Sequence, residues 1–359
     1  MTDVVLLSRY ERLGASSRLR SYQYLPALRA HGLGVKVCAM LDDAYLRARH
    51  QGSRPLLRVL DAYRRRLRDL IGSRGAPILW VEYEALPWLP FFVERMLIDR
   101  RARLLIDYDD AIFHRYDAHA NVLVRAMLGR KIDRLMRLAD VVVAGNEYLA
   151  ARARDAGCRR VEVIPTVIDL ARYRQKIVVD SKPLIVGWIG SPSTTHYLRE
   201  LENAFRDVAD QRALCIMNVG GEHWTPQGLD VDNVAWSEDG EIDAMLRFDV
   251  GVMPLDDNPW SRGKCGLKLI QYMGCGLPTI ASPVGANLSI VQEGRTGIFA
   301  RSNDEWTSAI GRLADDVKLR GEMGRAGFER VREHYSLDVT APKVVALVVE
   351  LLQRRASNA

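Results

Sequence analysis

Lys264 and Lys268 bracket the front of an apolar run in Gly263-Lys264-Cys265-Gly266-Leu267-Lys268-Leu269-Ile270-Gln271, which Gly276 and Pro278 bring to an end. The pattern predicts a helix beginning near Gly266. Unsatisfied N–H groups and the positive end of the dipole make such a helix front a site for an anion, above all a phosphate. Lys264, just before the helix, adds a charge-assisted bond. Lys268, in the first turn, opposes the dipole, a local cost that a bound anion would remove. The same residues also suit a surface lysine on an ordinary helix start, and local chemistry leaves both readings open. A second cradle, Gly190-Ser191-Pro192-Ser193-Thr194-Thr195, offers hydroxyl and N–H donors ahead of a helix. Serine and threonine are equally the residues that cap helices. Finally, "LLIDYDDAIFHRYD" (104–117) packs four aspartates and His114 behind a strand. These carboxylates either do chemistry or cap the next helix.

Elements of two kinds must position these residues. Short apolar runs alternate with helical patterns, which argues for parallel sheets in α/β layers. Val4–Leu7, Val35–Cys38, Ile78–Val81, Leu104–Ile106, Val141–Val143 and Val161–Pro165 form one series. Residues 8–23 read as a loop, followed by a helix through Ala30. A charged stretch without clear period, Asp169–Pro183, reads as the linker. Leu184–Gly187, Ala213–Met217, Val250–Met253 and Thr279–Ala281 form a second series, and a long apolar-faced helix closes the chain. The expected division is 1–172, 180–335 and a terminal helix over 336–359. Two Rossmann-like halves predict a ligand cleft, because such sheets bind beyond their strand C-termini.

At 359 residues the chain exceeds one comfortable core. With 48% hydrophobic and 27% charged residues it reads as an ordinary globular protein. No run approaches the roughly 18 apolar residues that span a bilayer. The N-terminus enters a strand without the basic-then-apolar shape of a signal peptide, so a cytoplasmic protein is expected. Cys38, Cys158, Cys215, Cys265 and Cys275 are scattered and imply neither disulfides nor a metal site. The basic excess, a net charge of +6, is concentrated: nine arginines and two aspartates lie between Arg47 and Arg74. Leu56, Leu60, Tyr63, Leu67 and Leu70 recur there at helical spacing. This is either a solvated arginine face on a helix packed by its leucines or a basic helix lying on an anionic membrane. Nucleic acid is disfavoured, since no stacking aromatics or known module accompany the arginines.

Taken together, the motifs resemble the retaining nucleotide-sugar glycosyltransferases of family 4, and the resemblance covers most of the chain. "ADVVVAGNEYLAARA" (139–153) resembles the last strand and helix of that family's first domain. "VEVIPTVIDLARY" (161–173) is similar to its exit segment, and "GLPTIASPVGANLSIVQEGRTGIFA" (276–300) to its glycine-proline strand and G-x-x-G turn. The resemblance implies a GT-B fold of two Rossmann-like domains facing a central cleft. It also implies a nucleotide diphosphate sugar donor, a saccharide or lipid-linked acceptor, and no metal.

Donor contacts then fall to Gly14, Ser16, Gly190, Ser191, Ser193, Thr194, Trp236, Ser237, Lys264, Cys265, Gly266, Leu267, Lys268 and Gln271. Asp109 and Asp110 stand where the family has His-Asp. A carboxylate there binds sugar hydroxyls or steadies charge on the anomeric carbon. Asp109, Asp110 and Lys264 are therefore the catalytic candidates. Arg18, Glu82, Glu84, Trp88 and His114 are placed on the acceptor side. Asp107-Tyr108-Asp109 also matches the Asp-x-Asp metal motif of another glycosyltransferase fold, which the two-domain organisation argues against.

The departures from the family are as informative. Its paired glutamates are Gly263 and Gln271 here. Its Arg/Lys phosphate clamp is Trp188 and Ser193, so Lys264 and Lys268 are expected to supply the missing positive charge. Exchanging a charged for a neutral hydrogen bond at Gln271 costs about one kcal/mol of donor binding. Two rivals follow: a catalytically weak homologue that binds a saccharide or partner, and a sugar-nucleotide epimerase on the same architecture.

Overall fold

In a computed structural model, which describes residues 2–50, 52–53, 55–180 and 182–356, the apolar runs become parallel strands. The chain divides into two units. The first comprises Met1–Thr166, Arg262–Cys265 and Thr340–Ala359, and the second Val167–Ser261 and Gly266–Val339.

The first unit carries β1 (Val4–Tyr10), β2 (Val35–Leu41), β3 (Ile78–Glu82), β4 (Arg103–Tyr108), β5 (Val141–Ala144) and β6 (Val161–Val163). They form a parallel sheet ordered β2-β1-β3-β4-β5-β6. The interior strands β3, β4 and β5 are covered on both faces, which is why they read as unbroken apolar runs. In place of the expected loop over 8–23, β1 continues to Tyr10 and a helix spans Ala15–Arg20. Gly14 makes this tight return feasible, since a Cβ there would stand 2.3 Å from the Tyr10 Cβ.

The second unit carries β7 (Leu184–Ile189), β8 (Leu214–Val219), β9 (Val231–Val234), β10 (Val250–Met253), β11 (Thr279–Ala281) and β12 (Gly297–Phe299). Its parallel sheet is ordered β12-β11-β10-β7-β8-β9. The two strands not expected from the sequence, β9 and β12, are its edges. An edge strand needs little apolar sequence, and Val-Asp-Asn-Val is half-buried throughout. Both units are Rossmann-like, and the terminal helix runs over Leu337–Ala356.

The arginine-rich region corrects the expectation of leucines packed beneath a single helix. It is two helices, Asp43–His50 and Leu56–Gly72, with Gly52 at φ +81° and Pro55 between them. Arg54 lies outside the described residues. The buried face of the longer helix is Ala62, Arg66 and Leu70, with Tyr63 half-buried, while Leu56, Leu60 and Leu67 are exposed. The buried Arg66 guanidinium donates to the carbonyls of Cys38, at 3.1 Å, and Ser8. No helix among the described residues is long and apolar enough to cross a membrane.

Candidate functional site

The strand C-termini of the first unit gather an acidic, hydroxyl-rich cluster. β4 ends at Tyr108 and delivers Asp109 and Asp110. One Asp109 oxygen accepts the Ser16 hydroxyl at 2.5 Å, and the other accepts the phenol of Tyr83. The Tyr83 and Ser16 oxygens lie 2.6 Å apart. Tyr83 follows β3 with φ +62°, a left-handed conformation rare for an aromatic residue, as does Trp88 at +61°. Such strain persists only where the surroundings enforce it. Here the Tyr83 N–H is fixed to the Asp107 carbonyl at 2.9 Å. Asp107 is itself buried and pairs two-pronged with Arg20, at 2.8 and 2.9 Å. Asp107 and Asp109 thus serve different partners. Among the described residues, no group of three His, Cys, Asp or Glu is arranged to hold a metal.

The segment Arg262–Cys265 folds with this cluster. Asn146, after β5, caps the helix Glu147–Asp155 by accepting from the Leu149 N–H at 2.9 Å. Its amide donates to the carbonyls of Gly263 and Lys264, each at 3.0 Å. The Cys265 thiol donates to the Asp109 carbonyl at 3.1 Å. Gly145 and Gly263 make room: a Cβ at 145 would meet the Cys265 sulfur at 2.3 Å, and one at 263 would meet the Ala111 Cβ at 2.4 Å. Lys264 is thereby brought within electrostatic reach of Asp110. Burial, then the Asp109 charge, pushes the Asp110 carboxyl up to about 7, with Lys264 and Arg115 acting against the rise. Burial likewise raises Glu82 to about 7 and Asp107 to about 6.

In the second unit the helix Leu267–Gly274 starts at Gly266, whose φ of +68° suits glycine, and no side chain caps its N-terminus. The Lys268 ammonium stands 3.9 Å from the centroid of the buried Trp188 ring. That cation–π contact, worth about 0.5–2 kcal/mol, offsets the lysine's conflict with the dipole. Gly190 sits beside both groups; a Cβ there would be 2.3 Å from the Trp188 ring and 2.8 Å from Lys268 Nζ. The hydroxyls of the exposed Ser191 and Ser193 and the half-buried Thr194 form a cluster, with Ser191 Oγ 3.0 Å from Ser193 Oγ. Gln271 is buried and donates to the Tyr173 phenol at 3.2 Å. Trp236 donates its indole N–H to Glu241 at 3.0 Å, and Ser237 accepts the Gly240 N–H at 3.1 Å.

Several residues placed on the acceptor side are used internally. Glu84 is buried with Lys131 at 2.7 Å, Arg9 at 3.7 Å and the Tyr116 phenol. Glu82 is buried, accepting the Arg9 N–H and the Ser17 hydroxyl, and its other oxygen has no partner. Arg18 is buried and donates to the Arg12 carbonyl. His114 bonds Asp117 at 2.9 Å and Tyr148 at 2.7 Å. Each therefore serves the architecture; of the five, Trp88 keeps an exposed ring. Tyr83, also an acceptor-side candidate by its place after the third strand, instead partners Asp109; the pairings not foreseen are that one, Asn146 as a clasp, and Tyr173 with Gln271. An Asn ahead of Glu147 was readable as a cap, but its second bond joins residues more than a hundred positions apart.

Residues 183–316 match the family described as Glycosyl transferases group 1. A D-inositol 3-phosphate glycosyltransferase of Paenarthrobacter aurescens (strain TC1) is 35% identical over 79 residues, which is 21% of this chain and 18% of that protein. The chain thus spans about a fifth of the length of the curated relatives it matches. Sucrose-phosphate synthase from Thermosynechococcus elongatus superposes with a TM-score of 0.76 at 17% identity, covering 99% of this chain and 100% of that one. Anabaena HepE, solved in complex with UDP-glucose, gives 0.65 at 14% identity over 99% and 98% of the two chains. The fold is that of the GT-B glycosyltransferases.

Proposed function

We propose that the chain is a retaining glycosyltransferase of family 4 type, moving a sugar from a nucleotide diphosphate sugar to a saccharide or lipid-linked acceptor in glycoconjugate or envelope polysaccharide synthesis. The observation that carries the reading is the coincidence of two facts in the second unit. Its sequence matches the group 1 glycosyl transferases, and its strand ends present an uncapped helix front, Lys268 and a hydroxyl turn. HepE, which shares the fold, is a UDP-glucose binder, and a nucleoside diphosphate is the ligand such a helix front favours.

In this reading the leaving diphosphate is stabilised by Lys264 and Lys268, with no resident metal invoked. Asp109, oriented by Ser16 and Tyr83, attends the sugar. The missing family carboxylates favour one alternative, a homologue that binds without turnover: Gly263 has no room for a side chain, and Gln271 is matched to a phenol.

A panel of nucleotide sugars, each assayed for thermal stabilisation and for transfer, tests both readings. A binding nucleotide raises the melting point with concentration. Binding with transfer supports the enzyme; binding without transfer, or no nucleotide binding at all, favours the alternative. Lys264→Ala is expected to lower kcat by about 10²–10³, the usual cost of removing one group that stabilises developing charge.

A further inference from the structure

After β3 the chain makes a short buried turn, residues 83–87, and then presents one large ring outwards: Trp88 is 45% exposed. Buried side chains fix the backbone of this turn group by group. Glu94 accepts the N–H groups of Ala85 and Leu86, at 3.1 and 3.0 Å. Lys131 donates to the Leu86 carbonyl at 2.6 Å, and the Tyr63 phenol donates to that of Pro87. The Trp88 N–H is held by the Tyr116 phenol at 2.9 Å, which itself donates to Glu84. Glu84, Glu94 and Lys131 form one buried ion cluster, with Lys131 Nζ 2.7 Å from each carboxylate. Burying such a cluster is costly, and Trp88 at φ +61° adds strain. Both costs are met around an indole that lies outside the core.

The half-buried His119 stands beside Trp88, the two rings meeting at 81° with centroids 5.8 Å apart, and the buried Tyr116 supports the indole at 5.2 Å. His119 is fixed as well: its Nδ1 accepts the Asn121 N–H at 3.0 Å, and Arg125 donates to its carbonyl. With Nδ1 accepting, the neutral imidazole carries its proton on Nε2, as a donor. An exposed apolar ring with a donor beside it matches the two characters of a pyranose: C–H groups that meet a π face, and hydroxyls at the rim. An acyl chain would offer His119 no hydroxyl, so a sugar is the occupant this pair fits. We infer that Trp88 and His119 form the platform on which a pyranose ring of the acceptor docks. A rigid ring held in advance lowers the ordering cost of binding. The inference specifies the chemical class of the acceptor and rests on the reading of the chain as a glycosyltransferase.

Saturation-transfer NMR on the full chain, with methyl β-D-glucopyranoside and methyl β-D-galactopyranoside as probes, tests it. Saturation is expected on the ring C–H protons of at least one probe. Trp88→Ala should lower its affinity about tenfold, and Trp88→Tyr less. Trp88→Gly, which suits the left-handed backbone, should lose as much as Trp88→Ala, so that the loss is not one of folding. His119→Ala should lower affinity about fivefold, as for one hydrogen bond. Absence of saturation with both probes in the folded wild type overturns the inference, as does saturation that Trp88→Ala leaves unchanged. Thermal stabilisation by nucleotide sugars separates the platform from the reading it rests on. Trp88→Ala should keep that stabilisation at the wild-type level; its loss overturns the assignment of this ring to the acceptor. A chain that binds a probe at Trp88 but no nucleotide supports the platform and overturns the transferase reading instead.

Discussion

Gly263 decides more than its size suggests. Its neighbours leave no volume for a methyl group, with Ala111 Cβ at 2.4 Å and Ala111 N at 2.9 Å from where a Cβ would sit. Gly263→Ala must displace backbone rather than a side-chain tip, which places it among overpacking substitutions costing about 1–3 kcal/mol. A lower melting point and faster proteolysis of the Arg262–Cys265 segment would check this. Asp110 carries the pH dependence. Its folded pKa stands above the ordinary 3.8, at about 7, so the protonated form is the one folding favours. The stability it contributes is complete below pH about 4 and is lost as pH rises through about 7. Asp110→Asn should therefore melt about 2–4 °C above wild type at pH 8, with the gap closing towards pH 5. Glu82 and Asp107 share the window, so the variant keeps a reduced slope. The sequence made Asp109, Asp110 and Lys264 legible as chemistry-bearing types. It could not show that Glu82, Glu84, Arg18 and His114 are used internally, because their partners are set by tertiary packing.

At the scale of elements, the helix Leu267–Gly274 holds two opposed effects at one residue. Lys268 works against the dipole by about 0.3–1 kcal/mol and gains a comparable amount over Trp188. Lys268→Met removes both while keeping the stem, so the unliganded melting point should change little. The stabilisation brought by a nucleotide should fall about tenfold in affinity, as for loss of a charged hydrogen bond. Melting curves at several nucleotide concentrations separate the two effects. The helix start was readable from Gly266 and the apolar period. The identity of the lysine's partner was not, since Trp188 lies eighty residues earlier and stands alone as an aromatic in its strand. Interior strands were legible for the opposite reason, being buried on both faces. The edge strands β9 and β12 were not, because half-buried and three-residue strands leave no periodic signal.

At the scale of the whole molecule, neither unit is one continuous stretch. The first depends on Thr340–Ala359, which supplies the Thr340 hydroxyl to Tyr24 at 3.1 Å and Glu350 to Arg160 at 2.8 Å. It also supplies the buried side chains of Val344, Val348 and Leu351. A fragment ending at Thr166 would leave the apolar surface beneath those residues open. It should be molten, with weak near-ultraviolet dichroism, where the full chain should show strong near-ultraviolet dichroism and unfold cooperatively. The motif order that identified the architecture lies along the chain; the exchange of segments between units does not.

The clasp around Cys265 also has a kinetic consequence. Its thiol is buried, held well above the usual cysteine range first by burial and then by the Asp109 charge, and closed over by the Asn146 bonds to its two predecessors. A thiol so placed reacts with an alkylating reagent only after local opening. The labelling rate of Cys265 therefore measures how often residues 262–265 lift away, and makes this thiol a native clock for the segment that carries Lys264.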